Sequence, residues 1–181
     1  HALIRGIRTD AALKMPGVLA VVTHADFPDL QAKFAVMGEA GAVNLAHLAS
    51  NCLAKDKALY RGHAVAAVAA TNIHTAEEAA RRIKVEYEVL PSVTSILDAM
   101  KPDAPILHED LRTDEMGKKG EKPSNVQVKI VFEKGKPDDG FKQADLIVER
   151  EFRTASVHQG YIEPHATVAM WNEDGRLKIW A

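Results

Sequence analysis

Eight consecutive residues, HQGYIEPH from His158 to His165, hold two imidazoles, an amide, a phenol and a carboxylate. These groups donate, accept and exchange protons, so acid–base work, metal binding and polar lining all have to be weighed. Read as a strand, the segment alternates Gln159, Tyr161 and Glu163 onto one side and aims them at a common space. His158 and His165 are an odd number of residues apart, which puts them on opposite faces of a strand. The other histidines, at 1, 24, 47, 63, 74 and 108, are scattered and no H-E-x-x-H occurs, so spacing supports no protein-ligated metal. The plainer reading is that these polar groups bond neighbouring backbone and fix a domain junction. Structural contacts of that kind outnumber catalytic ones.

Other chemistries find less support. There is no G-x-S-x-G, and Cys52, the single cysteine, has no partner that sequence can identify; a small buried thiol is expected. GEAGAVN (38–44) matches neither G-x-G-x-x-G nor a Walker loop. Glu109 and Asp110 fall in a polar loop, where solvated charges are the simpler account. A net charge of -2 and 6% aromatic residues point away from nucleic acid and from anionic membranes. No apolar run reaches membrane-spanning length, and a lone cysteine fits a reducing compartment, so a cytoplasmic location is expected.

The elements that would position these groups follow from periodicity. ALIRGIR (2–8) reads as a strand, TDAALKMPG as a short helix capped by Thr9, VLAVVTH (18–24) as a buried strand and HADFPD as a helical turn. Residues 28–56 read mostly as loop with a short helical turn near NLAHLAS. Two short strands are expected over 58–72, broken at Arg61-Gly62, the second (64–70) closely buried. In HTAEEAARRIKV, Thr75 and Glu78 have capping-box spacing. There Ala76, Ala79, Ala80 and Ile83 form an apolar stripe opposite Glu77, Glu78, Arg81 and Arg82. KVEYEVL (84–90) alternates as a half-exposed strand, which would complete a β-α-β unit, and TSILDAM is a short helix. Residues 101–125 read as loop. NVQVKIVFEKG (125–135) and ADLIVEREF (144–152) alternate as strands around a helical turn at DDGFKQA. HATVAMW and RLKIW flank NEDG, a hairpin with Asp174-Gly175 at its turn.

Taken in order, these segments resemble the molybdenum-carrying large subunit of xanthine dehydrogenase and aldehyde oxidase-type hydroxylases. The resemblance rests on HALIRGIRTDAALKMPGVLAVVTHADFP, YRGHAVAAVAATNIHTAEEAARRIKVEYEVLPSV, APILHEDL and VEREFRTASVHQGYIEPHATVAMWNEDGRLKIWA. It implies an α+β chain: an α/β hammerhead domain over 1–110, a linker over 111–124, and the N-terminal portion of the molybdopterin-binding domain, mainly antiparallel, over 125–181. It also implies a molybdenum–molybdopterin cofactor, as a dinucleotide, that hydroxylates aldehydes or N-heterocycles, with carbon monoxide oxidation among related members. Iron–sulfur clusters and FAD would sit on partner domains or subunits of an oligomer that takes a small-molecule substrate.

By the same resemblance the glycine-rich loop, the glutamine motif and the catalytic glutamate fall beyond Ala181. The chain is then expected to be a piece of a longer polypeptide, inactive and without cofactor by itself, with no catalytic or metal-binding residue of its own. Gln159, Tyr161 and Glu163 would line or support the approach to the cofactor. Where the family pattern has Gly-Glu/Gln-Pro-Val-Ala, this chain has GHAVA, with His63 in place of the acid or amide. The competing reading is a non-catalytic α/β protein-interaction domain, favoured if the gene ended near residue 181. A metal-dependent hydrolase using His158 and His165 would require bound zinc.

Overall fold

The structure, a computed structural model, describes residues 1–30, 33–36 and 42–181 and divides into two units, 1–131 and 132–181. In the first unit the chain runs β1 (Ala2–Arg8), α1 (Asp10–Leu13), β2 (Val18–Thr23), a 3-10 turn (His24–Asp26), β3 (Phe34–Val36) and β4 (Ala42–Asn44). It continues through α2 (Leu45–Cys52), β5 (Lys57–Ala58), β6 (Ala66–Ala70), α3 (Ile73–Arg82) and β7 (Lys84–Val89). α4 (Ile96–Ala99), β8 (Arg112–Glu115), β9 (Lys118–Pro123) and β10 (Val128–Lys129) complete it. The second unit holds α5 (Pro137–Gln143), β11 (Val168–Trp171) and β12 (Leu177–Trp180).

The sheets are small and mainly antiparallel: β5-β1-β7, β2-β6, β3-β4, β10-β8-β9 and β11-β12, with only the β10–β8 pair parallel among the described residues. β1 and β7 form the long ladder, Ala2 facing Val89 and Arg8 facing Lys84, with an irregularity between Ile4 and Gly6. Cross-strand charges decorate it, Arg5 with Glu88 at 2.5 Å and Arg8 with Glu86 at 3.0 Å, all largely in water and individually weak. The strands flanking α3 do not form the expected β-α-β unit: β6 pairs with β2 and β7 with β1, in different sheets. Residues 71–83 between β6 and β7, helix included, are enough for a crossover, so it is the choice of partner, β2 for β6 and β1 for β7, that keeps the two strands apart.

α3 begins earlier than the Thr75 capping box implied. Its cap is Asn72, whose Oδ1 accepts the Thr75 N–H at 2.9 Å, so the Thr75–Glu78 capping box does not form. Both residues suit a cap, and the earlier one wins because it adds most of a turn. Ala76, Ala79 and Ile83 turn inward, Ala79 completely, whereas Ala80 is exposed. On the outer face Arg82 pairs with Glu78 at 3.2 Å and Arg81 with Glu77 at 3.6 Å, a solvated surface. α1 packs on α3 through small residues, Ala12 and Ala79 both being fully buried. Gly17 permits a close approach at the edge of this core. Its φ is +87°, its carbonyl accepts the Thr71 N–H at 2.9 Å, and a Cβ there would lie 2.9 Å from Thr71 Oγ1.

Several other expectations are corrected. Residues 28–56, read mostly as loop, contain the β3–β4 hairpin and the two-turn helix α2, capped by Asn44 Oδ1 accepting from Ala46 N–H at 2.9 Å. The glycine-bearing positions 38 and 41 lie outside the described residues. The 64–70 strand is not closely buried, since Ala64, Ala67 and Ala69 face solvent. Cys52 is exposed rather than buried. The stretch read as loop before 125 carries the β8–β9 hairpin, turning at Met116 and Gly117 with positive φ and with Asp114 Oδ1 accepting the Gly117 N–H at 2.7 Å. Of NVQVKIVFEKG only Val128–Lys129 is strand, and 144–152 has no strand at all. Alternation selects a face but supplies no neighbour, and a strand exists only through its ladder. The β11–β12 hairpin forms as read, Val168 opposite Trp180 and Gly175 at φ +77°.

Candidate functional site

The 157–166 segment lies between α5 and β11 without regular secondary structure. Gly160 adopts φ +75°, a left-handed turn that breaks the extended backbone, so Gln159, Tyr161 and Glu163 do not share a strand face. All three are exposed, and among the described residues Gln159 and Glu163 make no side-chain hydrogen bond or ion pair. Tyr161 gathers the two histidines instead. Its ring lies 4.9 Å from His158 and 5.0 Å edge-on to His165, so the turn brings together what a strand would have separated. Nδ1 of His158 accepts the Gly160 N–H at 3.0 Å and helps hold that turn. No three His, Cys, Asp or Glu side chains among the described residues are placed to hold a metal ion. Along α5 an open groove lined by Pro137, Phe141, Leu146, Ile147 and Val148 offers mainly apolar surface.

The most organised polar chemistry lies in the first unit. His63 is 7% exposed and bonded at both ring nitrogens: Nδ1 accepts the Leu59 N–H at 3.2 Å, and Nε2 faces the Ser50 carbonyl at 2.9 Å. An accepting Nδ1 leaves the hydrogen on Nε2, which donates to Ser50. The ring stacks on Tyr60 at 4.6 Å, and Ala54 N–H bonds the Ala64 carbonyl beside it at 2.7 Å. Thus the residue that departs from the family pattern ties the end of α2 to the loop before β6. Sequence marked the position but supplied no partner.

A second cluster joins β5, α2 and the segment before β8. Lys57, its side chain 12% exposed, pairs with Glu109 and donates to the Leu107 carbonyl at 3.3 Å. The Lys57 hydrogen bond holds the Glu109 carboxyl below its ordinary value, against a partial loss of hydration. His108 sits alongside, its ring 6.0 Å from that of His47. Burial, then the neighbouring His47 and Lys57, push the His108 imidazole down, with Glu109 opposing; part of the ring stays in water, so the loss of hydration is incomplete. Sequence missed this cluster because its members are up to 62 positions apart, from His47 to Glu109.

With this geometry in view, comparison with known proteins is decisive for the family. Residues 1–91 match the model of the aldehyde oxidase and xanthine dehydrogenase a/b hammerhead domain. The chain belongs to that family. Residues 118–181 match the molybdopterin cofactor-binding domain, so the two models follow one another along the chain. Xanthine dehydrogenase of Emericella nidulans is 31% identical over 100% of this chain and 11% of its own length. CO dehydrogenase from Oligotropha carboxidovorans superposes with a TM-score of 0.74 at 28% identity over 99% of this chain and 22% of the other. Aldehyde oxidoreductase from Desulfovibrio gigas gives 0.69 at 28%, over 98% and 18%. The chain therefore spans between 11% and 27% of the length of the curated relatives it matches. The mixed α/β fold with mainly antiparallel sheets agrees with these hammerhead-bearing neighbours.

A molybdopterin requires polar groups converging on an enclosed space. Within 118–181 Gln159, Tyr161 and Glu163 are exposed, and the one buried side-chain polar atom without a partner among the described residues, His1 Nε2, belongs to the other unit. These residues alone form no cradle for such a group, and the chemistry of a bound cofactor does not follow from them. No helix among the described residues is long and apolar enough to cross a membrane.

Proposed function

We propose that this chain supplies the hammerhead domain and the leading part of the cofactor-binding domain of a molybdenum hydroxylase large subunit. The observation that carries the reading is the order of the two matched domain models, hammerhead at 1–91 and molybdopterin-binding at 118–181, in one polypeptide. The parent enzyme would convert an electron-poor C–H of an aldehyde or N-heterocycle to C–OH, with the oxygen from water and two electrons and two protons removed. Molybdenum held by its pterin dinucleotide in the completed domain would supply that redox chemistry, and iron–sulfur clusters and FAD on partner domains or subunits would take the electrons onward. The assembly is an oligomer and works in the cytoplasm. In this reading the chain's own share is positional. The segment holding Gln159, Tyr161 and Glu163 supports or lines the approach to the cofactor once the domain is complete.

The test uses the complete gene product, assayed for molybdenum, for pterin and for turnover of aldehydes, purines and carbon monoxide. Bound molybdenum with turnover of one of these substrates is the expected result; a complete product that carries neither metal nor pterin overturns the proposal. Glu163→Ala is expected to lower turnover or cofactor content, and a variant equal to the parent in both removes the lining role.

A further inference from the structure

Residues 99–111 lead from α4 to β8, and side chains from distant positions fasten them. Asn125 is one anchor: Nδ2 donates to the carbonyls of Ala99 at 3.0 Å and Pro105 at 2.9 Å, and Oδ1 accepts the Leu107 N–H at 3.0 Å. An amide engaged by both donors and an acceptor is nearly saturated. Next to it the Ser124 N–H bonds the Leu111 carbonyl at 3.1 Å. The second anchor is electrostatic, Lys57 of β5 holding both Glu109 and the Leu107 carbonyl. The charged and titratable groups facing His108 there are His47 from α2, Lys57 from β5 and Glu109 from its own segment.

We propose that residues 99–111 form an acid-releasable strap, held at Asn125 by neutral hydrogen bonds and at Lys57 by an ion pair that protonation of His108 weakens. A proton on His108 sets a new cation beside Lys57, which Glu109 only partly offsets. Because burial and those neighbours hold the docked imidazole below its ordinary value, the released strap binds the proton more readily than the docked one. Docking is therefore favoured at neutral pH and weakens as pH falls through the ordinary histidine value. The lowered Glu109 carboxyl adds a loss of the same sign further into acid. Asn125 carries no ionisable group and the Ser124 N–H holds the Leu111 carbonyl, so the strap loosens around Glu109 and stays tethered on either side of it.

Hydrogen exchange of the complete gene product, followed by mass spectrometry on peptides covering 99–111 and corrected for intrinsic rates, reads this directly. Protection is expected to fall about three- to fivefold between about pH 7.5 and pH 5.5, the size of one partly exposed ion pair. His108→Gln, a substitution at an exposed rim that leaves the fold in place, is expected to flatten that dependence, and Asn125→Ala to lower protection at both pH values. Protection independent of pH in the parent protein, or an unchanged acid loss in His108→Gln, overturns the proposal. Full protection in Asn125→Ala removes the neutral anchor and with it the two-point strap.

Discussion

His63 offers the sharpest test of how this hammerhead holds together. Its ring is buried and serves two backbone groups of opposite kind, the Leu59 N–H and the Ser50 carbonyl. Ser50 lies in the last turn of α2, where helix carbonyls lack intrahelical partners, so His63 acts as a cap reached from outside the helix. His63→Ala removes both hydrogen bonds and the stacking on Tyr60, leaving a small void. At about 1 kcal/mol per bond plus a cavity term, the loss is about 2–4 kcal/mol. His63→Gln keeps an acceptor for Leu59 and a donor for Ser50, so only ring packing is forfeited, about 1 kcal/mol. His63→Glu keeps the acceptor and sets a carboxylate against the Ser50 carbonyl, so it should cost at least as much as alanine. Urea unfolding at neutral pH followed by circular dichroism ranks the three, each kcal/mol corresponding to about 2–4 °C in a parallel thermal melt. Glutamate as stable as glutamine, or alanine indistinguishable from histidine, would refute the two-bond account.

Three more perturbations follow from the same packing. Gly17→Ala should destabilise by about 1–3 kcal/mol, because φ +87° is strained for an L residue and the new Cβ would press on Thr71 Oγ1; a neutral thermal shift would contradict this. Ala79→Leu overfills the α1–α3 contact, in which Ala12 and Ala79 are fully buried, and should cost about 1–3 kcal/mol in a urea titration, while Ala80→Leu on the exposed side stays near zero. Lys57→Met should remove the hydrogen bond that lowers the Glu109 carboxyl. In the parent protein that bond adds stability above the ordinary carboxylate value and is lost as pH falls through the lowered one. The variant's stability should depend less on acid by under about 1 kcal/mol, given how exposed Glu109 is, and equal pH profiles would refute the linkage.

The parts of the fold legible in the sequence are those whose signal is local. β1, β7 and α3 carry their own periodicity and β2 its continuous aliphatic run, although β2 is not buried as that run implied, Leu19 and Val22 facing solvent, and the β11–β12 hairpin is announced by Asp174-Gly175 between two apolar runs. Pairing was not legible. The strands on either side of α3 look like neighbours in one sheet, yet each finds its partner at the start of the chain, β2 for one and β1 for the other. Alanine is the recurrent source of error. It suits helix, strand and turn alike, so AAVAA read as a buried strand although Ala67 and Ala69 face water, and the residues around Ala46 and Ala49 read as one turn rather than two.

The site residues separate along the same line. Residue type alone marked Gln159, Tyr161 and Glu163, but the assumption that they alternate on a strand failed at a single glycine, because φ +75° at Gly160 turns the chain and delivers His158 and His165 to Tyr161. The groups with fully formed partnerships, His63, Lys57 with Glu109, and Asn125, lie in the unit that contains the hammerhead, and each bonds a segment far from it in sequence. Their common property is that the side chain completes a backbone group left unpaired by a helix end or a loop. A hydrogen-bonding residue with that duty is chosen by the geometry of its target rather than by its neighbours in sequence. At position 63 that duty is met by a histidine whose Nδ1 accepts from the Leu59 N–H and whose Nε2 donates to the Ser50 carbonyl.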